Sequence, residues 1–265
     1  MSTPTSNTVD SAASLGMQLA TPLKVDHNAI PYAVVPNGAR LQSLEEFLMR
    51  PVETKARIAF TRAASFVAFG KKFKNDAMTV SFDENQAVFQ VIVDDHLPGQ
   101  PAWKQHTASL QLKLSPEAEA WFGGQGKLKA RNQEDFSLFI EDHLIDVVKP
   151  KGTEVLAMVL EFKAVSSASF SSAIRLSDGN IQLSYAVENK PGNVAFPEKM
   201  TIHIPMFTGQ HRTEVELRVR YRIHEGKLSL WYEVIGFDLL RQQAIDQYVA
   251  QVQEGIGLPV LFRTL

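Results

Sequence analysis

The sequence predicts an α+β fold, with antiparallel β-sheets in the N- and C-terminal halves, a helical middle and a C-terminal helix. Three patterns carry this expectation. Apolar and polar residues alternate over 107–114 and again over 215–234, the period of half-buried strands. Between them, 132–164 places its apolar residues three and four apart, the period of a helix with one buried face. The helical period returns at 238–254, where Leu240, Ala244, Ile245, Tyr248, Val249 and Val252 share a face ahead of Gly255.

Residues 1–23 are rich in Ser, Thr and Ala and hold no sustained apolar period. Burial there cannot offset the entropy of ordering, so a flexible tail is expected. Residues 24–56 form an N-terminal segment with one short helix. Ser43 and Glu46 make its capping box, Leu44, Phe47 and Leu48 its apolar stripe, and Pro51 its stop. The α+β domain is expected over 57–265, divisible into 57–131 and 132–265. It opens with a strand at 57–62 and a helix at 63–73, whose Phe66, Phe69 and Phe73 share one side and read as core. Strands at 78–82 and 87–93 follow, joined by the polar turn Asp83-Glu84-Asn85-Gln86, and a Pro/Gly loop leads to strand 107–114. Ser115 caps a two-turn helix with Pro116 at its first position, closed by Gly123-Gly124. Asn132 caps a long helix running to about residue 148, and a further helix occupies 153–164.

Two hairpins can be registered from their turns. With Asp178-Gly179 as a two-residue turn, Leu176 faces Ile181, Ile174 faces Leu183 and Ser172 faces Tyr185. With Glu225-Gly226 as the turn, Ile223 faces Leu228, Tyr221 faces Leu230, Val219 faces Tyr232 and Leu217 faces Val234. A slip of one residue would set apolar against polar in both. Residues 200–204 add a strand, and the C-terminal helix is expected to pack on this second sheet.

Composition narrows the function classes. The 265 residues hold 27 Lys+Arg against 29 Asp+Glu, a net charge of −2, so no global field gathers nucleic acid and any such binding needs a local patch. Cysteine is absent, which excludes disulfides, thiolate nucleophiles and Cys-ligated zinc, and fits a cytosolic protein. No apolar run approaches the ~18 residues of a membrane span, so no membrane partner is expected. Lys24 is the one basic residue among the first 24, without an apolar block beside it, so no signal peptide is expected.

Two constellations could carry chemistry. Arg212, Glu214, Glu216, Arg218, Arg220, Arg222 and His224 share one side of a strand whose other side is apolar. The hairpin register sets Arg218 opposite Glu233 and Arg220 opposite Trp231. Arg218, Arg220, Arg222 and Trp231 could thus form a platform for phosphates and stacked bases. The competing reading is a solvated sheet face held by a cross-strand ion pair and a cation–π contact, and the two glutamates in the row favour it. The second constellation is Asp94-Asp95-His96 with His106, in which Asp94, His96 and His106 offer oxygen and nitrogen ligands suited to zinc or manganese. Their spacing matches no recognised ligand set. His143 reads as a flank of the apolar helix stripe. Gly123-Gly124-Gln125-Gly126-Lys127 fails as a phosphate loop, because the earlier glycine is Trp121 and Leu128 stands where Ser or Thr is needed. No other nucleotide, nucleophile-elbow or zinc-protease motif is present, and no cofactor and no catalytic residue are expected.

The runs Ser65-Phe66-Val67-Ala68-Phe69, Pro101-Ala102-Trp103 with His106-Thr107-Ala108, and Phe136-Ser137-Leu138-Phe139-Ile140-Glu141-Asp142 resemble the YfdQ-like family of phage and prophage proteins. Leu176-Ser177-Asp178-Gly179 and Arg218-Val219-Arg220-Tyr221-Arg222 extend the resemblance over 57–254. Relatives often place a small residue such as Ser before Gln133; here Asn132 keeps the capping chemistry. The resemblance implies a phage-encoded cytosolic protein of a domain family of unknown function, found among early or DNA-metabolism genes. It brings no site residues. The leading expectation is therefore a non-enzymatic accessory protein that acts by binding, as a homo-oligomer with a host or phage protein partner. Its roles would be host takeover, anti-defence or replication support in the bacterial cytoplasm. A single-stranded nucleic-acid binder of phage recombination comes second, and a metal-dependent hydrolase at Asp94, His96 and His106 third.

Overall fold

The computed structural model describes residues 45–164, 168–188 and 190–264. The expected tail and the Ser43 cap lie outside the described residues. The chain divides into two units, Met1–Glu53 and Thr54–Leu265. In the first, Glu45–Phe47 forms a 3-10 turn, and no helix continues beyond it over residues 48–53. Glu45 closes it, accepting from Leu48 N–H at 3.1 Å through its carbonyl and from Val52 N–H at 3.1 Å through its carboxylate.

The second unit is α+β, as the sequence predicts. It opens with β1 (Ala56–Phe60), α1 (Ala63–Phe73), β2 (Thr79–Asp83), β3 (Val88–Ile92) and β4 (His106–Gln111). β2, β3 and β4 pair antiparallel, and β1 joins β4 in parallel. The row Phe60, Leu110, Phe89 and Phe82 crosses these strands on one face, because alternate residues of a strand share a side. α1 covers that face, with Phe66 fully buried and its ring centroid 6.2 Å from that of Phe89. Ser115 then caps α2 (Pro116–Trp121), accepting from Ala118 N–H at 2.9 Å.

β5 (Arg131–Asn132), α3 (Gln133–Asp142), β6 (Val147–Lys149) and α4 (Gly152–Ala164) form the middle. The long helix expected to residue 148 ends six residues earlier, at Asp142. His143 caps it, its Nδ1 2.8 Å from Phe139 O and its ring stacked on Phe139 at 4.3 Å. The next turn, Leu144–Asp146, buries Asp146 against Trp121 of α2 and against Arg212. Those tertiary bonds override the local helical period.

β7 (Ser169–Arg175), β8 (Asn180–Val187) and β9 (Lys190–Pro197) form an antiparallel sheet of their own. Here the expected register is wrong by one residue. Arg175 pairs with Ile181, Ala173 with Leu183 and Ser172 with Ser184, and after a bulge Phe170 pairs with Tyr185. The loop holds three residues, Ser177-Asp178-Gly179, closed by Leu176 N–H donating to Asn180 O at 2.8 Å. Gly179 takes the left-handed position at φ 86°, and Asp178 Oδ1 accepts from Asn180 N–H at 2.9 Å. β7 has one fully buried side chain, Phe170, and leaves Ile174 59% exposed. With so little to bury, turn chemistry sets the register.

β10 (Lys199–Ile204), β11 (Thr213–His224) and β12 (Lys227–Val234) complete the second sheet, in the order β5-β12-β11-β10-β6. The long hairpin has the register its turn predicts: Leu217 faces Val234, Val219 faces Tyr232, Tyr221 faces Leu230 and Ile223 faces Leu228. Its inner face meets α3 and Trp121, with Leu217, Leu230 and Tyr232 almost fully buried.

α5 (Phe237–Ile256) runs through Gly255 to a left-handed cap at Gly257, φ 75°. A Cβ on Gly255 would run into Val67 and one on Gly70 into Ile256, so this pair marks the close crossing of α5 with α1. The helix thus packs against α1 rather than on the second sheet. Behind it, β13 (Val260–Arg263) returns to the first sheet, parallel to β2, with Phe262 beside Phe82.

Candidate functional site

The outer face of the long hairpin places Arg218, Arg220 and Arg222 on one side of β11. They lie opposite Glu233, Trp231 and Ser229 of β12, with Lys199 of β10 flanking Arg218. Its two ends use their charges differently. At one end Arg212 donates to Asp146 Oδ1 at 2.9 Å and to His203 O at 2.8 Å, and lies 3.4 Å from Glu117. Asp146 is 3% exposed, and its second oxygen accepts from Trp121 Nε1 at 2.9 Å. Tyr232 OH donates to Trp121 O, and burial raises the phenol above its ordinary range. Lys149 sits 3.1 Å from Glu214. This end is a clasp joining α2, β6 and the sheet.

The other end is basic. Glu233 pairs with Arg220 at 3.4 Å rather than with Arg218, which stands directly opposite. No guanidinium lies over Trp231; the cation–π contacts among the described residues are Lys72 on Phe73 and Arg131 on Phe139. Arg218 Nε is buried without a hydrogen-bond partner. Arg222, Lys127 and Lys129 are exposed, and among the described residues none of them makes an ion pair.

A groove opens beside Trp231. Leu128 N–H donates to Tyr232 O at 3.1 Å and Val234 N–H to Gly126 O at 2.8 Å, setting Lys127 opposite Glu233. Further along, Asn132 faces Ser229. Six residues, 127–132, therefore run beside five, 229–233, and the extra one is a β-bulge that lifts the edge away from Trp231. The resulting groove holds about 320 Å³, lined by Lys127, Lys129, Ala130, Arg222, Trp231 and Glu233 among others.

The second constellation builds a loop. Asp94 accepts from Gln105 N–H at 2.8 Å and His106 N–H at 2.9 Å, and His96 Nδ1 accepts from Ala102 N–H at 2.8 Å. His106 is 5% exposed, its ring edge-on to Phe69 and Phe73 at 5.5 and 4.7 Å. Asp95 meets Lys104 at 2.7 Å. Burial alone would raise its carboxyl, but hydrogen bonds from Lys104, Thr79 and His96 N–H together hold it below its ordinary value. No group of three or more His, Asp or Glu able to hold a metal exists among the described residues.

A family model described as an uncharacterized conserved protein, DUF2303, matches residues 6–265. The chain belongs to the DUF2303 family. The DUF2303 match covers nearly all of both units and every residue of the outer face. No curated protein and no solved structure matches the chain. Among the described residues no helix is long and apolar enough to cross a membrane.

Sequence reasoning found the arginine row and Trp231 but missed Lys127 and Lys129. Lys127 is visible in the sequence as part of a failed phosphate loop, and Lys129 lies two residues beyond it. Their place beside Trp231 depends on a bulged pairing between segments a hundred residues apart.

Proposed function

We propose that this DUF2303 protein is a non-enzymatic binding protein, a phage-encoded accessory factor of the bacterial host cytoplasm that acts as a homo-oligomer. Host takeover, anti-defence or replication support are the roles this would serve. Its ligand-facing surface is the basic half of the second sheet, and the ligand presented to it is a polyanion. The separation of charge along β11 carries this reading. Glu214 lies with Lys149 at the clasped end and Glu216 stands two residues before Arg218, whereas the groove end gathers Arg222, Lys127 and Lys129 around one lining carboxylate, Glu233, which pairs with Arg220. Such a local patch attracts polyanions despite a net charge of −2. Binding rather than turnover is supported by Asp94, His96 and His106, whose hydrogen bonds and ring packing serve the loop itself. The oligomer is supported by β13, an edge strand whose Leu261 and Phe262 are 53% and 50% exposed and which carries no charge before Arg263.

Retention on immobilised heparin at low salt tests the ligand class, and light scattering tests the assembly. The parent protein should be retained, and Arg220→Ala with Arg222→Ala should flow through with an unchanged unfolding midpoint. Leu261→Lys with Phe262→Lys should leave a folded monomer. A parent protein that ignores heparin contradicts the polyanion, and a monomeric parent contradicts the oligomer.

A further inference from the structure

We infer that the polyanion is single-stranded nucleic acid and that the bulge beside Trp231 forms a pocket for one unstacked base. This rests on the basic half being the ligand-facing surface, and adds which polyanion it selects. Three observations converge. The bulge in 127–132 leaves Trp231 flanking a groove of about 320 Å³, within the range of small-ligand pockets, instead of covering it with a paired strand. The cations sit around that groove, Lys127 and Lys129 on the bulged edge and Arg222 on β11, while Glu233 sits within it. A carboxylate there repels phosphate and accepts hydrogen bonds, so the groove suits the N–H edge of a base and the rim suits its phosphates.

The third observation is Arg218. Its Nε is buried with no partner and out of a ligand's reach, while the residue as a whole is half-buried at the head of the row that leads to the groove. Arg218, Arg220 and Arg222 are spaced about 6–7 Å apart along the strand, so a backbone laid over them would meet about three cations in succession. Duplex bases are paired and stacked and would enter the groove only by flipping out, which costs several-fold or more in affinity. The site therefore selects single strands.

The test uses the full chain and a fluorescein-labelled oligonucleotide of about twelve nucleotides, single-stranded or annealed, with heparin as the unstacked polyanion. The single strand should bind about tenfold or more tighter than the duplex. It should also quench tryptophan emission, and this quenching should vanish in Trp231→Phe. Trp231→Ala should lose about tenfold of single-strand affinity while heparin retention is unchanged. Lys129→Glu, an exposed change, should weaken both ligands. Equal affinity for single strand and duplex, or full single-strand affinity in Trp231→Ala, overturns the base pocket and leaves the polyanion reading standing. Failure of both oligonucleotide and heparin to bind at low salt overturns both.

Discussion

The two ends of the β11 outer face draw on the same residue types and serve opposite ends. Arg212 meets Asp146, which is 3% exposed and also holds the Trp121 indole. Arg222, ten residues on, is exposed beside a groove edged by two lysines. An arginine whose partner is buried belongs to the scaffold, because removing it leaves a buried carboxylate without its counter-charge. An arginine whose neighbours are exposed cations has its charge unanswered within the described residues, which is what the proposed ligand surface rests on. Residue type does not separate these cases. Burial of the partner does.

Three substitutions probe this contrast, from the largest effect on stability to the smallest. Asp146→Ala strands the Trp121 indole N–H and takes one partner from Arg212, whose side chain is 41% exposed and keeps His203 O, and should cost about 2–3 kcal/mol in urea unfolding. A loss below about 1 kcal/mol would erase the distinction between the ends. Gly226→Val tests the turn that supports the basic end. Gly226 sits at φ 75°, and a Cβ there would run into Ser169, so the variant should lose at least about 1 kcal/mol. Full stability in that variant would contradict the turn geometry. Lys149→Ala breaks an ion pair whose side chains are 67% and 59% exposed, and should move stability by no more than about 0.5 kcal/mol. A larger loss would mean that the clasp includes this exposed pair.

Legibility in the sequence followed burial as well. β11 and β12 alternate strictly, with Leu217 and Val219 against Val234 and Tyr232 and with Leu228 and Leu230 beyond, so one register alone puts these apolar side chains together in the core. β7 offers Phe170 as its single fully buried residue, and there the alternation says little. The three-residue loop with Gly179 decided its pairing instead. β13 was not foreseen, since a short Val260-Leu261-Phe262 run carries no local sign of a parallel partner nearly two hundred residues away. The same limit hid the groove. The arginine row follows from period two, but Asp146 as the partner of Arg212 and the bulge opposite Trp231 arise only once distant segments meet.

The most direct measurement is the salt dependence of single-stranded oligonucleotide binding by the parent protein and by the Arg220→Ala, Arg222→Ala double variant. If the basic end is a ligand surface, log K of the parent falls linearly with log salt. The double variant then binds about tenfold or more weakly, with a slope shallower by about two and an unchanged unfolding midpoint. No binding by the parent at low salt, or identical slopes in the two proteins, would contradict the assignment of this face.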